Sequence, residues 1–226
     1  MNARTSFAAL LTAALAIGGF SPTYAADKVE DIEKAMAEKW GEVKSFSANI
    51  ETSGAEPSSA SKGMYEYVMK GDKLMFRMEM TMGDASGGGQ GMSMTTISDG
   101  EFSYTLMGQM ATKMKQDNAQ SMDPKAAFKM LRENYELKVL PDQSVDVQAV
   151  YVIEGSPKGG GAGGGKTVSY YAKDSGVALK SDTYDASGKL VTTMKLSNVK
   201  INPKIAPSRF VFEAPDGVQV MDMTKE

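Results

Sequence analysis

The sequence predicts an α+β chain that is mainly β: about ten or eleven strands in an antiparallel meander, with two or three helices. Three observations carry this expectation. Apolar residues recur with a period of two through most of the chain after Ser45. The alternating runs are joined by short turn signals at Gly71-Asp72, Asp99-Gly100, Asp174 to Gly176 and Ala186 to Gly188. Only two stretches show helical spacing instead.

Residues 1–25 carry one early charge (Arg4), the apolar run "FAALLTAALAIGGF" and a small-x-small site ending at Ala25. That is the layout of a secretory signal peptide cleaved after Ala25, and its apolar run falls short of the ~20 residues that span a bilayer. The remaining 201 residues, 26–226, suit a single domain, expected to be exported. Once Arg4 leaves, 24 basic residues face 28 acidic ones, so no basic surface points to nucleic acid.

"DKVEDIEKAMAEKW" places Val29, Ile32, Met36 and Trp40 along one stripe of a first helix. "SFSANIE" then alternates Phe46, Ala48 and Ile50 as a strand. The hairpin around Gly71-Asp72 pairs Met69 with Leu74, Tyr67 with Phe76, and Tyr65 with Met78, all on one face continued by Met80 and Met82. After "GDASGGGQG", the Asp99-Gly100 turn is expected to pair Ile97 with Phe102 and Thr95 with Tyr104. "QMATKMKQ" reads as a further strand. "SMDPKAAFKMLRENYE" offers Asp123 as N-cap, Pro124 as first helical residue, and Ala127, Phe128, Leu131 and Tyr135 on one face. "LKVL", "SVDVQAVYVIE", "TVSYYAK", "VALKSDTYD" and "KLVTTMKLSNV" follow as strands, and the last segment holds two short extended pieces.

Residues Gly160 to Thr167, "GGAGGGKT", fit the phosphate-loop pattern. The run lies between strands and the residues after Lys166 alternate with period two, so no helix N-terminus receives a phosphate and the stretch reads as a loop. Cysteine and histidine are both absent, which removes disulfides, thiol nucleophiles, the usual general base and the usual zinc ligand. Asp72, Asp99, Asp174 and Asp185 sit at turns, where local backbone hydrogen bonding accounts for them. No catalytic residue, metal ligand set of the usual kind or cofactor is expected.

Methionine is the outlier, with 18 in the chain and most of the internal ones between Met64 and Met130. Thioethers suit a surface that repacks around apolar ligands such as acyl chains. Met78, Met80 and Met82 with Met92 and Met94 also place soft sulfur on one side of a strand, as a Cu(I) site would. Plain core filling is the third reading. A sheet this broad with two clear helices either closes on itself or leaves an apolar gap, lined by Tyr65, Tyr67, Phe76, Met78, Met80 and Leu190.

The stretch from Asp174 to Asp222 resembles the LolA-like outer-membrane lipoprotein carriers. The matching residues are Asn198-Val199, Asn202, Phe210-Val211-Phe212 and Pro215-Asp216-Gly217-Val218, preceded by "SF.A" at Ser45 to Ala48, the strand "GMYEYVMKGDKLMF" and "ISDGEFSY" at Ile97 to Tyr104. The resemblance implies a curved, incompletely closed antiparallel sheet with helices plugging its concave side. It implies a periplasmic, non-catalytic carrier of the acyl chains of lipoproteins or lipids, served by an inner-membrane releasing transporter and an outer-membrane acceptor, and acting as a monomer. The cavity is expected to be lined by Trp40, Tyr65, Tyr67, Met69, Leu74, Phe76, Met78, Met80, Phe128, Leu131, Leu190 and Met194. Where the carrier proper has an arginine after the "YV.K" strand, this sequence has Gly71. The same scaffold serves glycolipid carriers and RseB-type regulators that sense lipoproteins.

Overall fold

The computed structural model describes residues 28–54, 60–71, 73–83, 91–116, 124–160 and 165–224. The expected signal peptide, Asp72 of the first turn, the Asp123 cap and residues 161–164 of the glycine-rich loop lie outside the described residues.

Among the described residues, twelve strands form one open, curved sheet. In chain order they are β1 (Ser45–Gly54), β2 (Ser61–Lys70), β3 (Lys73–Met82), β4 (Met92–Ser98), β5 (Phe102–Met107), β6 (Met110–Lys115), β7 (Tyr135–Val145), β8 (Gln148–Pro157), β9 (Thr167–Ala172), β10 (Ala178–Tyr184), β11 (Leu190–Ile201) and β12 (Gln219–Asp222). Their order across the sheet is β12-β6-β5-β4-β3-β2-β1-β11-β10-β9-β8-β7, and β12 and β7 form its two edges. The final extended piece supplies the extra strand, and it pairs parallel to β6, a departure from the all-antiparallel expectation.

The first hairpin has the expected register, with Met69 opposite Leu74, Tyr67 opposite Phe76 and Tyr65 opposite Met78. The second does not. Ile97 pairs with Tyr104 and Thr95 with Leu106, because the connection is four residues long rather than two. Asp99 Oδ1 accepts the N–H groups of Glu101 and Phe102, both at 2.8 Å, and Ser98 Oγ accepts the Gly100 N–H at 3.1 Å, so side chains close the wider loop. The "SVDVQAVYVIE" run is not one strand either. β7 continues to Val145 and the chain reverses at Asp146-Val147, where Asp146 adopts φ 53°. A fully exposed valine at the turn tip hides this reversal from any reading by composition.

Helix α1 (Val29–Gly41) opens with Glu30 and Asp31 at its positive end and carries Lys39 in its last turn. Helix α2 spans Pro124–Asn134, so Tyr135, expected on its apolar face, instead begins β7 opposite Pro157. Both helices lie on one side of the sheet, here called the inner face. Ile32, Met36 and Phe128 are buried with Ile153, packed by Leu131, Leu137, Val139, Tyr151 and Tyr171. One helical stripe then carries α1 across the sheet, for Trp40 lies 6.4 Å from Phe46 of β1 and 6.2 Å from Tyr67 of β2, ring to ring. β8 and β9 are buried on their outer face too, through Val150, Val152 and Val168.

On the outer face of the other half lies the segment after β11. Arg209 bonds Glu66 at 2.9 Å and Glu79 at 3.3 Å, Phe210 is buried, and Phe212 stacks on Tyr104 at 4.7 Å. Arg77 pairs with Glu79 in the same network.

Candidate functional site

Strand pairing assembles a feature that no single strand contains. Met80 faces Met94, Met94 faces Met107, and Met107 faces Met110, so four thioether side chains stand in line across β3, β4, β5 and β6. Met82 and Met92 form a further pair beside the row. On its other side Met78 leads into Thr96, Thr105 and Thr112, and the Thr96 and Thr105 hydroxyls lie 3.3 Å apart. The register puts all of these on the inner face, where β3 to β6 present no charged side chain.

This part of the inner face is left uncovered by the helices. Met107 is 42% exposed, Met110 55% and Met92 55%, while Met78, Met80, Met82 and Met94 are half-buried. Gly63 makes room at the start of the row, since a Cβ there would strike the Glu79 carbonyl oxygen and the Met80 sulfur. Large exposed apolar patches on an inward-curving sheet mark ligand or partner contact rather than fold stability.

At the β1–β2 end the face becomes aromatic and closed. Phe46 stacks on Tyr67 at 5.6 Å, and Tyr65 lies 6.0 Å from Tyr67 and 6.2 Å from Phe76. Tyr67 is 1% exposed, and its hydroxyl has no hydrogen-bond partner among the described residues. Burial pushes the Tyr65 phenol up to about 12; burial and the Tyr65 phenol together push Tyr67 above its ordinary range. Both stay neutral at any physiological pH, so each presents a ring and an uncharged hydroxyl.

The structure gathers Trp40, Tyr65, Tyr67, Met69, Leu74 and Phe76 in one cluster, and Met78 and Met80 extend it toward the open row. Phe128 and Leu131 lie apart from it, packed between α2 and the β7–β9 end of the inner face. Met194 is half-buried on β11, opposite Thr52 and Ser181. Leu190 opens β11, 45% exposed and in neither buried cluster. The expected lining omitted Met107, Met110 and Met114. The signal for them was present, but a two-residue error in the β4–β5 register hid that Met107 continues the line of Met94.

Of the motif residues behind the family resemblance, the two asparagines hold the frame rather than the face. Asn202, at φ 53°, accepts the Lys44 and Ser45 N–H groups on Oδ1 at 2.6 and 3.2 Å and donates to the Glu42 carbonyl at 3.1 Å, fixing the turn from α1 into β1. Asn198, at φ 52°, lies in the β11 bulge opposite β1. The Gly-rich pattern leads to Thr167 as the first residue of β9, and Lys166 pairs with Glu154 at 2.7 Å.

The result is a mainly β sheet, open at both edges, helix-covered on part of its inner face and lined by methionine and threonine across β3 to β6. A family model described only as an uncharacterized protein matches residues 127–214, under half of the chain. No curated protein matches the sequence. Among solved structures, the Pseudomonas aeruginosa MucA/MucB complex matches with a TM-score of 0.56 and 15% identity, over 81% of this chain and 60% of that one. This chain therefore spans about 60% of that relative's length. An uncharacterized conserved protein from Thermus thermophilus matches at 0.57 and 11% identity, over 85% of this chain and 98% of its own. The LolA superfamily protein NE2245 from Nitrosomonas europaea matches at 0.31 and 14% identity, over 80% and 97%. The likeness to the first two is one of fold: the open sheet with helices on its inner face.

Proposed function

We propose that the chain is an exported carrier that binds the acyl chains of lipids or lipoproteins on the inner face and moves them through the periplasm toward the outer membrane. The observation that carries this reading is the uncharged, methionine-lined half of that face, left open beside the closed aromatic cluster. Flexible thioethers conform to hydrocarbon of any shape. Burying a dozen methylenes supplies roughly 10 kcal/mol before ordering costs, so loading and release need help. An inner-membrane releasing transporter and an outer-membrane acceptor fill those roles in this reading, and no chemical step is involved. The mature chain, 26–226, works as a single-domain monomer, with Trp40, Tyr65, Tyr67, Met69, Leu74, Phe76, Met78 and Met80 as the near wall and Phe128, Leu131, Leu190 and Met194 as flanking residues.

Native mass spectrometry of protein purified without detergent, together with uptake of a fluorescent fatty acid, tests this. A lipid adduct and saturable uptake, weakened by Met94→Lys, are expected; no adduct and no uptake in the wild type end the reading. The fold likeness to the MucA/MucB complex favours a second reading, a sensor that docks on a membrane-protein partner, as in the RseB type. Pull-down from envelope extract separates the two, since a carrier retains lipoproteins and a sensor retains one membrane protein.

A further inference from the structure

We propose that the methionine row is also a soft-metal site, taking Cu(I) through the thioethers of Met80, Met94, Met107 and Met110.

The residues chosen for this face point to sulfur. Strands favour β-branched side chains when the need is only to cover a pleated surface. This chain follows that preference in β7 to β9, with Val139, Val150, Val152, Ile153 and Val168. On the inner face of β3 to β6 there is no valine or isoleucine at all, and beyond Leu74 and Phe76 methionine takes every apolar position. Apolar character is common to both sets. Sulfur is what differs.

Strand geometry lets these sulfurs meet. Facing side chains on adjacent antiparallel strands have Cβ atoms about 5 Å apart. A methionine side chain reaches further than half that gap, so neighbouring thioethers of the row can converge above the sheet. Three successive pairings, Met80 with Met94, Met94 with Met107 and Met107 with Met110, give each inner sulfur a neighbour on both sides. Met107 and Met110 are exposed, at 42% and 55%, which leaves an approach from solvent.

Charge selects the kind of cation. Neutral thioethers, with no carboxylate on this part of the face, suit a soft monovalent cation and not a hard divalent one. Among the described residues no group of three or more acidic side chains gathers to offer a competing hard site. The row shares its side chains with the proposed acyl surface, and the two uses are told apart because leucine replaces the hydrocarbon of methionine but not its sulfur.

The experiment titrates the purified chain with Cu(I) held by a chromogenic chelator, and with Ag(I) followed by native mass spectrometry. It compares the wild type with the double variant Met94→Leu, Met107→Leu and with Met69→Leu, which lies off the row. The wild type and Met69→Leu are expected to withdraw Cu(I) from the chelator equally. The double variant should bind at least about tenfold more weakly, the loss that removing even an outer partner of a metal ligand can cause. Its urea midpoint and far-ultraviolet circular dichroism should match the wild type, so the lost affinity is a loss of sulfur and not of fold. X-ray absorption of the copper-loaded wild type should show a shell of sulfur alone. No competition by the wild type, equal binding in the double variant, or a shell of oxygen and nitrogen overturns the proposal. A wild type that takes Ag(I) but no fatty acid sinks the carrier reading and leaves this one standing.

Discussion

The β7–β9 end and the β3–β6 end of the sheet share one inner face, yet they meet opposite fates. At β7–β9 the face is built of Leu137, Val139, Tyr151, Ile153 and Tyr171 and lies under α1 and α2. At β3–β6 it is built largely of methionine and threonine, and Met107 and Met110 remain open to solvent. Both halves are apolar enough to form a core. What separates them is cover: two helices suffice for one end of a twelve-stranded sheet. The side chains chosen at each end match that difference, rigid and branched where packing is permanent, flexible where it is not.

The comparison breaks most visibly if truncation at the two ends costs the same. Phe128→Ala, at a side chain 2% exposed, is expected to lower unfolding free energy by about 3–5 kcal/mol in urea titration, whereas Met107→Ala should cost under about 0.5 kcal/mol. Equal losses would mean that the methionine face is ordinary core. Gly63→Ala comes next. The added methyl meets the Glu79 carbonyl and the Met80 sulfur, so a loss of about 1–3 kcal/mol and a displaced Met80 are expected, the latter read from the Met80 methyl resonance.

A smaller effect sits on the outer face of the valine-rich half. Burial pushes the Asp182 carboxyl up, but hydrogen bonds from Lys180 and Thr193, both at 2.7 Å, and from the Tyr170 hydroxyl at 3.1 Å hold it below its ordinary value overall. A carboxylate whose folded pKa is depressed stabilises the fold above its unfolded pKa, roughly pH 4, and loses that contribution as pH falls through the folded value. Asp182→Asn should therefore cost about 1–2 kcal/mol at pH 7, with the gap to wild type narrowing in melts below pH 4. The smallest change is expected from Tyr67→Phe. Removing a buried hydroxyl that lacks a partner should leave stability unchanged or raise it by up to about 1 kcal/mol. If fatty-acid uptake falls in the same variant, the hydroxyl serves the ligand.

Much of the architecture was legible because period-two alternation and short polar turns survive without tertiary help. The β2–β3 hairpin is correct in every expected pairing, since its register and its apolar face depend on the same two-residue turn. Legibility fails where side chains set loop length: Asp99 and Ser98 widen the β4–β5 connection, and nothing in "SDGEF" distinguishes that from a tight turn. It also fails at Val147, a β-former placed at a hairpin tip, and at Tyr135, whose apolar ring fits the helical stripe but belongs to a strand. The aromatic part of the candidate site was readable from one hairpin. The methionine row was not, because it runs across four strands and each pairing must be right before the line appears.

The methionine half of the inner face stays open, in this reading, to receive hydrocarbon. The most direct measurement labels the methionine methyl groups and follows their resonances as a fatty acid is added. Saturable shifts at Met80, Met94, Met107 and Met110, with Met36 on the buried face of α1 unmoved, are expected. Shifts at none of the four, or shifts spread equally to Met36, would mean that the row does not receive the chain.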